Sequence, residues 1–95
     1  MTAERDELAR GVTLEVEIVR QDLLAALATV DAADAARAAA EERERASGER
    51  LDAGLAPMIE ILDSQSELAA AEQQQIDVRA SAWIAAARLT RATGR

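Results

Sequence analysis

The sequence predicts an all-α protein: an antiparallel two-helix coiled-coil hairpin that associates into a helical bundle. Three observations lead there. Of 95 residues, 24 are alanine, and Glu, Arg, Leu and Gln supply much of the rest, the mixture of long helices. Only one proline and four glycines are present, too little turn material for a sandwich or barrel of many short strands. The 23 larger apolar side chains include no Phe or Tyr, so they fill a narrow seam rather than a wide interior.

Turn residues cluster once, at Asp52-Ala53-Gly54-Leu55-Ala56-Pro57. Gly54 can take positive φ past a helix end, and Pro57 needs no backbone donor at the start of the next helix. The predicted elements are therefore a helix over about 3–52, a turn over 53–56 and a helix over about 57–93. The whole chain is one hairpin domain. Gly11 and Gly48 fall inside the first helix, each costing about 1 kcal/mol against alanine. A break at Gly11, with Val12–Val16 starting as a strand, is the alternative at that end.

In the first helix, Leu8, Val12, Val16, Val19, Leu23, Leu27 and Val30 recur at steps of three and four. In the second, Leu62, Ala69, Ile76 and Trp83 recur every seven residues, flanked by Ile61, Leu68, Ala82 and Leu89. This spacing predicts a coiled-coil seam. Between Val30 and Leu51 alanine replaces the large apolar residues, which makes that stretch the weakest. A turn centred near residues 54–55 sets facing residues to sum to about 109. The second helix then ends opposite Val16, and the first dozen residues lack a partner. The paired part is about 55 Å long and the first helix about 75 Å. Ile18, Leu24, Ile59, Val78 and Ile84 lie off this seam and want another surface. One seam buries too little to offset chain entropy, so self-association is expected.

Composition narrows the chemistry. Without Cys or His there are no thiol nucleophiles, disulfides, histidine bases or ordinary structural zinc sites. No catalytic residue, metal site or cofactor is expected. A net charge of −7, from 18 acids and 11 arginines, disfavours nucleic acid and anionic lipid as partners. Met1–Glu7 is charged, so it does not read as a secretory signal, and no run of about 18 apolar residues offers a membrane span. As written, the chain reads as soluble.

Arg50-Leu51-Asp52-Ala53-Gly54-Leu55-Ala56-Pro57-Met58-Ile59-Glu60-Ile61-Leu62-Asp63-Ser64-Gln65 resembles the periplasmic helical hairpin of the TolC-like outer-membrane efflux proteins. In that family an Arg-aromatic/Leu-x-x-Gly turn precedes a short apolar stretch and an acid-apolar-Leu-Asp-Ala-Gln run; here Ser64 stands for the alanine. Leu68, Ala69–Glu72 and the closing Ala92-Thr93-Gly94 also match, and Leu14–Gln21 resembles the family's Leu-x-x-Glu-Val-Arg opening. The resemblance spans about residues 8–94.

It implies a trimeric outer-membrane channel whose hairpins line a periplasmic tunnel and whose turns dock a periplasmic adaptor protein. Carried over by position, Ala53, Gly54 and Leu55 are the docking turn, and Glu60 and Asp63 are acids of the channel mouth. Glu60 departs from the aspartate usual there. One hairpin without a strand-rich segment or second repeat looks like an excised piece of such a channel, whose parent would sit in the outer membrane and periplasm.

Blander readings stand beside these. Glu60 and Asp63 are also dipole-favoured acids of a first turn, and Gly54 is also a helix cap. Glu41-Glu42-Arg43-Glu44-Arg45 reads as a solvated face or a charged contact between hairpins. Trp83 reads as a packing residue, and Gln75 as a polar member of the seam. The alternative to the channel is a free-standing antiparallel coiled-coil interaction module that dimerises into a four-helix bundle.

Overall fold

The computed structural model describes residues 2–94. It is a two-helix hairpin, α1 over Thr2–Asp52 and α2 over Met58–Ala92, in a rod of 79 × 16 × 15 Å. Its radius of gyration is 21.9 Å, against about 12 Å for a compact chain of this length. No strand occurs among the described residues. In particular α1 runs unbroken through Gly11 and Val12–Val16. One glycine's propensity cost of about 1 kcal/mol does not stop a helix flanked by good helix formers.

The buried and half-buried positions follow a heptad without a stutter. Steps of three and four run from Val16 to Leu51 on α1 and from Ile61 to Ala92 on α2, the period that keeps one seam facing its partner. Cross-helix pairs fix the register. Asp34 meets Gln75, Arg43 meets Glu67, and Arg50 meets Glu60, so facing numbers sum to 109 or 110, as the turn position requires.

The seam on α2 lies one residue away from the stripe that the sequence suggests. Leu62, Ala69, Ile76 and Trp83 are all exposed, Trp83 at 78%. The seam is made instead by Ile61, Ser64, Leu68, Ala71, Gln75, Val78, Ala82, Ala85 and Leu89, with Ala92 closing it. Val78, expected off the seam, is 8% exposed. On α1, Ala26 takes the place expected for Leu27. The reason is steric. At the level of Trp83 the seam sets Ala26 against Ala82 and Ala85, small residues that pack face to face and leave an indole no place between them. The large side chains are turned onto the flank.

The first part of α1 lies beyond the end of α2. Residues 3–15 are all exposed, and Val16 is the first that is partly covered. No helix is long and apolar enough, among the described residues, to cross a membrane.

Candidate functional site

The turn is a complete Schellman motif. Gly54 has φ +74°, the left-handed region that glycine enters without the Cβ penalty. Its N–H donates to Leu51 O at 3.0 Å, and the Leu55 N–H donates to Arg50 O at 2.8 Å. These two bonds satisfy carbonyls that the helix end would otherwise leave bare. Pro57 is extended (φ −75°, ψ 160°) and occupies the N-cap, one residue before the first helical position. It supplies no side-chain cap, and the Glu60 N–H donates to the Pro57 carbonyl at 3.1 Å.

A Schellman turn is commonly closed by an apolar contact between the residue after the glycine and the last turn of the helix. Here the last-turn residues it would meet are Glu49 and Arg50, and Leu55 is left 72% exposed. Ala53, Gly54, Met58 and Ile59 are exposed beside it. The tip is therefore rigid in backbone and apolar on its outside.

Glu60 and Asp63 lie on one flank of α2 just behind the tip. Glu60 stands in the first helical turn, and Arg50 stands in the last turn of α1. Each charge is favoured by its own helix dipole. The two meet across the turn at 3.4 Å, a partly exposed pair worth a fraction of a kcal/mol. Asp63 is exposed and makes no ion pair among the described residues. Both acids border an open depression with Arg43, Arg50 and Glu67. Two guanidinium groups among three carboxylates leave little net field there. No cluster of three metal-ligating side chains occurs among the described residues.

Sequence reasoning missed a polar layer at mid-rod. Gln75, 7% exposed, donates through Nε2 to Asp34 Oδ1 at 2.6 Å and accepts from Arg37 Nη1 at 3.0 Å. Arg79 Nη2 donates to the same Asp34 oxygen at 3.1 Å. The Gln75 bond, with Arg79 and Arg37 nearby, holds the Asp34 carboxyl below its ordinary value, against the opposing effect of burial. Arg37 Nε lies 3.0 Å from Glu41 Oε1, close enough for an ion pair but too poorly angled for a hydrogen bond, so this buried donor stays unsatisfied. A polar residue at a seam position specifies register at some cost in stability. Gln75 was visible in the sequence as a seam candidate; Asp34 and Arg79 carried no signal beyond being charged.

In the charged run, Arg45 pairs with Glu42 and Arg43 with Glu67 across the seam. These side chains are all more than half exposed. Nearer the open end, Arg20 and Gln21 both donate to the Glu17 carboxylate and keep its pKa below the usual range, Arg20 the more strongly.

Comparison with known proteins adds no relative: no protein-family model, no curated protein and no solved structure matches the chain.

Proposed function

We propose that this chain is a structural hairpin, one wall element of the periplasmic helical tunnel of a trimeric outer-membrane efflux or secretion channel of the TolC-like kind. Its turn docks a periplasmic adaptor protein. The observation that carries the reading is the tip: a Gly54 turn locked by two backbone bonds, with Leu55 held outside and uncovered. An exposed leucine on a rigid turn offers area at little ordering cost to an incoming apolar groove. Ala53, Gly54 and Leu55 form the contact. Glu60 and Asp63 stand at the tunnel mouth, where Arg50 shares the charge of Glu60 and Asp63 supplies the unshared one.

A photo-crosslinking residue at position 55, in the chain carried within its channel, tests the tip. Adaptor-dependent crosslinks that vanish on Leu55→Asp, with helicity unchanged, are expected. Failure to capture an adaptor from position 55 would end the docking role.

A second reading is the free-standing interaction module in a dimeric four-helix bundle. It is favoured by the accessible surface of 7060 Å², against about 5,300 Å² for a globular chain of this mass. That excess needs covering whether the neighbours are sibling hairpins or a second copy.

A further inference from the structure

One flank of the hairpin carries apolar side chains that the described residues leave about half exposed or more. Leu24, Leu62, Ile76 and Trp83 each follow a seam residue by one position, so each is turned about 100° out of the seam. In an antiparallel pair these positions fall on the same side of both helices. Leu27 joins them: with Leu23, Val30 and Trp83 it lines an open apolar depression bordered by Arg79.

We propose that this flank receives the same flank of a second copy, with both turns at the same end of the assembly. Area is the first argument. The five residues above and Met58 are each about half exposed or more and present on the order of 700 Å² between them. Two copies thus bury about 1,400 Å², within the range of specific, stable interfaces.

Height along the rod is the second argument. A two-fold axis parallel to the rod sets α1 of one copy against α2 of the other at equal distance from the turn. Leu27 stands 25 residues before Asp52, and Trp83 stands 25 residues after Met58. Leu27 of each copy therefore meets the other's Trp83, twice over. Asp31 and Arg79 each stand 21 residues from the same helix ends. Asp31 is exposed and makes no ion pair among the described residues, and the axis brings it to the second copy's Arg79. Leu62 falls opposite Gly48, where no side chain obstructs it. Reversing one copy about a two-fold axis at Trp83 instead sets α1 against α1, with Leu24 over Asp31. The parallel count also sets Ile76 opposite Asp34, so it is the Leu27–Trp83 and Asp31–Arg79 pairs, each formed twice, that select the parallel arrangement.

The inference rests on the second reading, the dimeric module, and names the flank and direction in which two copies meet, while the crosslink at position 55 tests the tunnel reading separately. The test uses the purified chain. Light scattering at micromolar concentration is expected to give twice the chain mass, and Trp83, the sole aromatic residue, to shift its emission to the blue as concentration rises. Trp83→Glu is expected to halve the mass, while Ile84→Glu, on the opposite flank, leaves it unchanged. Both residues are exposed within one copy, so loss of helicity in the first variant alone reports the same lost cover. Nitroxide labels at Ser66 are expected within about 35 Å of each other, against about 50 Å for the reversed arrangement. A monomer throughout, a dimer indifferent to Trp83→Glu, or the longer label distance overturns the proposal.

Discussion

Replacing Gln75 with alanine removes the one side chain that bonds both to Asp34 and to Arg37 across the seam. Hydrogen bonds to charged groups contribute about 1.5–3 kcal/mol each when fully shielded. Here the Arg37 and Asp34 side chains remain 41% and 42% exposed, so water replaces part of what is lost. Gln75→Ala is therefore expected to cost about 1–2 kcal/mol, a fall of about 5–15 °C in Tm for a chain of this size. Urea denaturation followed by circular dichroism, at one fixed protein concentration because association contributes to stability, measures the difference. A double-mutant cycle with Asp34→Ala isolates the pair, with a favourable, non-zero coupling expected. Gln75→Leu is expected to hold or raise stability, because an apolar residue suits the seam, while register specification is lost. A Gln75→Ala change within about 0.3 kcal/mol of the parent, together with zero coupling, would refute the view that this layer ties the helices together.

Two further outcomes follow from glycine and from titration. A Cβ on Gly48 meets only Ile61 Cδ1, at an ordinary 3.6 Å, so Gly48→Ala should stabilise by about 1 kcal/mol, whereas Gly54→Ala, at φ +74°, should cost about 1–2 kcal/mol. Thermal melts of both variants give the comparison, and equal signs would contradict it. Asp34 has its pKa lowered in the folded chain, first by Gln75. Its contribution is thus complete above the unfolded carboxyl value and fades as pH falls through the lower folded value, below about pH 4. Melts taken from neutral pH downward should show Asp34→Asn losing less stability than the parent in that window; parallel curves would remove Asp34 from the acid response.

The hairpin was legible because its determinants are local. A lone Gly-Leu-Ala-Pro break interrupts two long alanine-rich stretches, and Gly54 adopts the positive φ that its position demands. Register followed from the turn. The buried face was harder to read, because apolar size and burial part company here. Leu62, Ile76 and Trp83 lie on one seven-residue repeat with Ala69 and are its bulky members, yet small neighbours such as Ser64, Ala82 and Ala85 take the seam. A Trp in a stripe that runs beside alanines is itself the missed signal, since a seam that sets Ala26 against Ala82 and Ala85 has no room for an indole. The tip was read from motif spacing, but the exposure of Leu55 depends on Glu49 and Arg50 offering it no cover. The Asp34–Gln75–Arg79 layer required the register before any of its members could be seen as neighbours.

Bulk is unevenly shared along the rod. From Val16 to Val30 the α1 seam holds three valines, a leucine and Ala26, whereas from Ala33 to Ser47 it holds only alanine, serine and charged residues. On the α1 side the grip is therefore firmer at the open end and slacker toward the loop, where Ile61 and Leu68 of α2 supply the bulk, like tongs joined at the bend and clasped by the handles. Bending stress or heat would spread the two arms first between the polar layer and the bend, leaving the clasp intact. Within the paired part, amide exchange should be faster in that middle span than between Val16 and Val30, and uniform protection along the paired arms would deny the gradient. Such compliance lets the bend tilt to meet an approaching surface without the rest of the rod giving up its alignment.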